Sequence, residues 1–203
     1  MAEERVQRRL AAILAADVVG YGRLLEQDEA GTLAALKARR RDILNPLIAE
    51  HHGRIVKVMG DGVLVEFGSA VNAVAAAAEL QKRMAAANEG AAGDRRIGLR
   101  IGINLGDVVV ESGDLYGDGV VIAVRLQTMA EPGGICVSGA VHDQVANKLP
   151  LAFEDLGRAK SRILQSRSRS FAYVPPATVV CGKWRSGIPN RRSLRSLYCR
   201  SPT

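Results

Sequence analysis

Apolar side chains run from Leu10 to Val19 with Asp17 as the one interruption, and the run stops at Gly20. A short apolar block bounded by glycine predicts a buried strand. From Leu24 to about His52 the residues Leu24, Leu25, Leu33, Leu36, Ile43, Leu44, Leu47 and Ile48 recur at helical spacing. Pro46 should kink or divide that helix, and Gly53 stands where a C′ glycine would end it. Residues 54–59 and 63–67 are two β-rich runs separated by Gly60-Asp61-Gly62, a hairpin signal. Ser69 then caps an alanine-rich helix reaching about Asn88, and 89–95 is a polar loop. Residues 97–111 alternate as a long strand, in which Gly102 and Gly106 allow a bulge or a close approach. A helix over 117–130, a strand over 135–138, a short helix over 140–147 and final strands at 153–156 and 171–174 complete the pattern. The order β-α-β-β-α-β, with extra elements after it, predicts an α+β chain with a ferredoxin-like core. In that arrangement an antiparallel-rich sheet carries helices packed on it.

Composition changes this picture little, and charge changes it more. Of 203 residues 47% are hydrophobic and 24% charged, enough for one domain with a sizeable core. The apolar blocks at 10–19 and 73–78 fall short of the roughly 18 residues of a membrane-spanning helix. The charged start, Met1-Ala2-Glu3-Glu4-Arg5, does not resemble a secretory leader. Cys136, Cys181 and Cys199 have no metal-ligand spacing and read as free thiols of a cytoplasmic protein. The net charge of +7 is unevenly placed: residues 158–203 hold 11 Lys/Arg and no Asp/Glu, whereas residues 1–157 hold 17 basic against 21 acidic groups. A nucleic-acid-binding core is therefore not expected. An RNA-binding sheet would also need stacking aromatics, and none lies in 54–59 or 97–110. Beyond Pro175-Pro176 the Arg/Ser/Pro-rich tail, 175–203, has no apolar periodicity and is expected to be disordered.

Candidate chemistry begins with Asp17, a carboxylate inside an apolar run, which either ends the strand at Ala16 or is buried with a partner. Asp61 is equally the residue that a tight turn prefers. Taken together they suggest more. A central strand ending beside a hairpin tip would bring both carboxylates to one sheet edge. With a backbone carbonyl such as that of Val18 they would form a hard-oxygen site for Mg²⁺ open to phosphate oxygens. Two metals so held can clamp an in-line phosphoryl displacement.

Four segments then carry a resemblance: Asp17-Val18-Val19-Gly20-Tyr21, Gly53-Arg54-Ile55-Val56-Lys57-Val58-Met59-Gly60-Asp61-Gly62, Arg100-Ile101-Gly102-Ile103-Asn104-Leu105-Gly106 and Tyr116-Gly117-Asp118-Gly119-Val120. In order and spacing they resemble the class III adenylate/guanylate cyclase catalytic domain, of the bacterial adenylate cyclase type. The resemblance runs over about 8–157, within an expected catalytic domain of 8–174. It implies that Asp17 and Asp61 hold two Mg²⁺ or Mn²⁺ ions, and that Lys57 and Asp114 read the adenine of ATP. Arg125 would stabilise charge on the α-phosphate. The implied product is 3′,5′-cyclic AMP, made by attack of the ribose 3′-oxygen, which one metal acidifies while the other accompanies pyrophosphate. The implied assembly is a head-to-tail homodimer in which one chain supplies Asp17 and Asp61 and the other Lys57, Asp114 and Arg125. Taken singly, Lys57 also reads as a strand-edge charge, Asp114 as a turn residue and Arg125 as a solvated helix face.

Two departures stand out. Four residues before Arg125 the family carries an asparagine that orients the ribose, and here the residue is Val121. Losing one such donor typically costs about 10²–10³ in rate. A weakened cyclase and a catalytically silent, regulatory homologue therefore both remain open. After Phe153-Glu154-Asp155-Leu156-Gly157 the family continues with a lysine-bearing strand. Here 158–170 is Arg/Ser-rich with little strand character, and Lys160 and Arg162 are the nearest stand-ins for that lysine.

Overall fold

A computed structural model describes residues 7–91, 93–111, 113–158 and 169–174. The tail 175–203, Lys160, Arg162, Cys181 and Cys199 lie outside the described residues. In chain order the strands are β1 (Gln7–Val18), β2 (Gly53–Met59), β3 (Gly62–Phe67), β4 (Leu99–Glu111), β5 (Asp114–Tyr116), β6 (Ile135–Ser138), β7 (Ala152–Arg158) and β8 (Arg169–Val174). The helices are α1 (Tyr21–Gln27), α2 (Glu29–Arg39), α3 (Asn45–Glu50), α4 (Ala70–Ala87), α5 (Asp118–Met129) and α6 (Gly139–Val145). The sheet order is β2-β3-β1-β4-β6-β8-β7, with β5 paired to β4. Every pairing among these strands is antiparallel except β4–β6. The first four strands have the order and directions of the ferredoxin-like arrangement, so the expected fold class is observed.

β1 is apolar from Ala11 to Ala16 because there it is covered on both faces. Ala12, Leu14, Ala16 and Val18 face a core shared with α1–α4 and α6, while Ala11, Ile13 and Ala15 face a smaller core under α5. Ile13 and Leu14 are fully buried, each a burial of roughly 1.5–3 kcal/mol. Ser69 caps α4 as expected, its hydroxyl accepting from the Asn72 amide.

Two local expectations are corrected, and a third is narrowed. The helix expected over 24–52 is divided at Asp28, whereas near Pro46 the helical backbone runs on without a break. Asp28 caps α2 by accepting from the Gly31 amide at 2.9 Å. Ahead of Pro46 the chain widens into one π-helical turn, Arg40–Leu44, closed by the Asn45 amide donating to Arg40 O. A proline cannot donate to the carbonyl four residues back, and the π turn lies just before it. Gly53 is not the helix-ending left-handed residue: His52 takes that conformation (φ 57°). Gly53 instead opens β2, where a Cβ would lie 2.6 Å from the Phe67 ring and 2.8 Å from Ile48. In β4, Gly102 and Gly106 make no bulge, because the β1–β4 register is continuous from Gln7↔Val110 to Val18↔Leu99.

What Gly102 provides is the close approach of α5. A Cβ there would lie 2.1 Å from the Gln127 amide nitrogen and 2.2 Å from the Ala123 carbonyl oxygen, both backbone atoms. Gly102→Ala should therefore destabilise the fold by about 3 kcal/mol or more, the upper range for overpacking. Gly68→Ala, with nothing within 4 Å, should change stability little. Urea denaturation of the two variants beside wild type measures the difference.

Candidate active site

Asp17 lies within β1, not beyond its end, and across the ladder it faces Arg100 of β4. The guanidinium grips both carboxylate oxygens, Nε to Oδ1 at 3.2 Å and Nη2 to Oδ2 at 3.0 Å, with the Asp17 side chain 26% exposed. The carboxylate thus has the partner that its place in an apolar strand demands. Arg100 was not singled out in the sequence. Its signal was a lone cation in the strand that pairs with β1.

Asp61 sits in the two-residue turn of the β2–β3 hairpin, after Gly60, whose φ of +57° favours glycine. The pairing Ala16↔Val63 carries this tip to the end of β1 where Asp17 and Val18 lie. Arg40, from the π-helical turn, donates to Gly60 O and ties the tip down. The structure so places Asp17, Val18 and Asp61 at one sheet end. Among the described residues no group of three or more His, Cys, Asp or Glu could hold a metal. Two carboxylates and backbone oxygens are a hard-oxygen donor set that suits a cation still open to phosphate.

Lys57 reaches its position through a β-bulge. Ile55 pairs with Val65 but Lys57 pairs with Leu64, so two residues of β2 span one step of β3. Ile55 packs on the helix-layered core and Val56 on the opposite one. The bulge turns Lys57 to the face of Leu64, the face that also carries Leu115. There its Nζ donates to Asp114 Oδ2 at 2.7 Å, while Asp114 Oδ1 accepts from the Leu115 amide at 2.9 Å. The hydrogen bond from Lys57, then that from Leu115, holds the Asp114 carboxyl below its usual range. The same bond to Asp114, aided by its charge, raises Lys57. Both are ionised at neutral pH.

Arg125 is half-buried on α5, on the helix face that also carries Val121 one turn earlier. Val121 is 46% exposed and Val124 41%. The structure brings Lys57 to Asp114 and pairs Asp17 with Arg100. Cys136 is buried, which pushes its thiol up to about 11 and keeps it protonated.

A family model described as the adenylate and guanylate cyclase catalytic domain matches residues 4–169. A Rhizobium meliloti protein named "Putative adenylate cyclase 3" is 55% identical over 157 residues, covering 77% of this chain and 27% of that protein. An "Adenylate cyclase" of Streptomyces coelicolor is 35% identical over 147 residues, covering 70% of this chain and 36% of its own length. The chain thus spans roughly a third of the length of these curated relatives. Among solved structures, an "Adenylate/Guanylate Cyclase/Hydrolase from Silicibacter pomeroyi" superposes with TM-score 0.77 at 44% identity, covering 84% of this chain and 99% of that one. The adenylyl cyclase CyaB from P. aeruginosa shares the fold at TM-score 0.73 and 22% identity, covering 86% of this chain and 98% of that one.

The Lys57–Asp114 contact sets a pH dependence. A carboxyl depressed by folding contributes stability above its unfolded pKa and loses it as pH falls through the folded value. Asp114 should titrate below its ordinary 3.8, and Lys57→Met should move its midpoint back up, as read by carboxyl-carbon NMR. An unchanged midpoint in Lys57→Met would mean that the contact is not formed in solution.

Proposed function

Because the chain belongs to the adenylate and guanylate cyclase catalytic-domain family, we propose that it converts ATP to 3′,5′-cyclic AMP and pyrophosphate at a site shared by two copies. The observation that carries this reading is the Lys57–Asp114 pair, 2.7 Å apart and both charged. An ammonium donor beside a carboxylate acceptor complements adenine, which offers a ring nitrogen as acceptor and an exocyclic amine as donor. Guanine presents the reverse polarity, so ATP is favoured over GTP.

Asp17 and Asp61, with the Val18 carbonyl, fit two Mg²⁺ or Mn²⁺ ions. Cations held there would neutralise the triphosphate and lower the pKa of the ribose 3′-hydroxyl. Arg100, which grips Asp17 in the resting chain, has a planar fork of donors suited to phosphate oxygens once the carboxylate turns to a cation. The 3′-hydroxyl gives up its proton to solvent, its oxygen bonds to the α-phosphorus as the bond to the bridging oxygen breaks, and pyrophosphate leaves in line. Arg125 of a second copy faces the charge that develops on the α-phosphate.

A second copy is supported by exposed apolar side chains beside these groups. Val58 and Met59 follow Lys57, Tyr116 follows Asp114, and Val121 and Val124 precede Arg125 on α5. Large apolar side chains left exposed beside charged groups in this way are what a second copy would cover. Among the described residues no helix is long and apolar enough to cross a membrane.

Val121 supports a second reading, a silent homologue that binds nucleotide in a regulatory role, since an exposed valine there can neither donate to the ribose nor orient it. Cyclic nucleotide formation from ATP and GTP with Mg²⁺ or Mn²⁺ separates the two. On the first reading wild type makes cyclic AMP, Asp17→Ala loses at least about 10²-fold, and Val121→Asn gains up to about 10²–10³-fold, the worth of one preorganised donor. Activity only in Val121→Asn selects the silent homologue. If all variants are inert with every nucleotide and metal, the catalytic reading is lost.

A further inference from the structure

Glu66 is a carboxylate placed where packing alone would favour an apolar side chain. It is 4% exposed in β3, opposite Ile13 of β1 and Arg54 of β2, and on the same sheet face as Leu64 and Ile13. An ionised group there is costly without partners, and two arginines supply them. Arg9 Nη2 lies 2.5 Å from Oε1, a charge contact without the alignment of a hydrogen bond. Arg54 donates from Nη2 at 2.8 Å and from Nε at 3.1 Å, both to Oε2.

Arg54 has one more contact. Its Nη1 donates at 3.0 Å to the carbonyl of Gly113, in the β4–β5 turn, where φ is +83°. The next residue is Asp114. Strand β2 thus grips this turn twice, through Arg54 on Gly113 O and through Lys57 on the Asp114 carboxylate. The two grips differ in what a nucleotide would do to them. A purine taking the Lys57 ammonium and the Asp114 carboxylate loosens the second and leaves the first. Only arginine can hold Glu66 with two donors and still present a third in a fixed direction; lysine offers a single point of charge.

We propose that Arg54, locked by Glu66 and Arg9, is a positioning residue that fixes the Gly113–Asp114 turn so that the carboxylate meets the exocyclic amine of a purine. This rests on the reading of Lys57 and Asp114 as the base-reading pair. Glu66 and Arg9 act one step further out, by setting the plane of the Arg54 guanidinium.

Arg54→Lys is the informative variant, because it keeps a cation beside Glu66 and removes the donor to Gly113. Titration with the fluorescent analogues mant-ATP and mant-GTP in Mn²⁺ reads the pocket without requiring turnover. The expected result is an affinity for mant-ATP about fivefold weaker, the worth of one hydrogen bond, with the preference over mant-GTP reduced in proportion. Amide exchange should quicken at 113–116 while the amides of β1 and β3 keep their protection. Asp114→Ala must lower the same preference, and Arg54→Lys added to it should lower it no further. If Asp114→Ala leaves the preference intact, or wild type binds neither analogue, the base-reading assignment fails and this proposal with it. If Asp114→Ala lowers the preference but Arg54→Lys does not, the proposal alone is overturned. Exchange that quickens equally through β1 and β3 would make Arg54 a merely structural residue, and would also overturn it.

Discussion

The structure depends on a strand that is buried on both faces and yet ends in a charge. β1 alternates its side chains between two cores, and the small residues Ala11, Ala12, Ala15 and Ala16 let the layers above and below approach it. The approach is close next door as well, where the α5 backbone lies on Gly102 of β4. Such a strand can tolerate a carboxylate only at its end and only with a partner, and Asp17 has both. The same burial that fixes β1 rigidly thereby fixes the direction of one candidate metal ligand. The hairpin paired to β1 sets the place of the other.

Face parity governs the second half of the candidate site. Side chains in a strand alternate, so a shift of one residue exchanges the two faces. Without the bulge at Val56, Lys57 would share the face of Ile55, under the layer of α1–α4. With it, Lys57 lies on the face where β5 brings Asp114 and Leu115. One extra residue in β2 thus decides whether the lysine packs under helices or faces a carboxylate.

Most of the core was legible in the sequence, because its signals are local. An apolar run ending at Gly20, an Asp-Gly step between β-rich runs and a Ser69 cap each determine structure within a few residues. The helical region was less legible: Asp28 is a good cap, but the apolar periodicity runs through it and hides the break. At His52 and Gly53 a glycine of the expected kind serves tight packing on Phe67, while histidine takes the left-handed turn. For the site, the residues by themselves gave Asp17, Asp61 and the Val18 carbonyl as a cation site, and the resemblance added Lys57, Asp114 and Arg125. Arg100, Arg9, Arg54 and Glu66 were not seen. Each owes its role to a cross-strand neighbour or to a turn more than fifty residues distant, and no local pattern carries that information.

The ion pairs fall into two kinds, and magnitude separates them. Asp17–Arg100 and Lys57–Asp114 are partly exposed, and pairs of that kind contribute little to stability and part readily when a competing charge arrives. Arg9–Glu66–Arg54 is built on a buried carboxylate held by two half-exposed arginines, and stripping that carboxylate of its partners leaves a buried charge uncompensated, which is strongly destabilising. A site that must exchange its own counter-charges for those of a nucleotide needs weak pairs where the ligand enters and strong ones where the frame must stay still. Here the weak pairs join β1 to β4 and β2 to β5, and the group built on the buried carboxylate of β3 joins it to β1 and β2. The groups proposed to touch substrate can open at small cost, and the one proposed to aim them cannot.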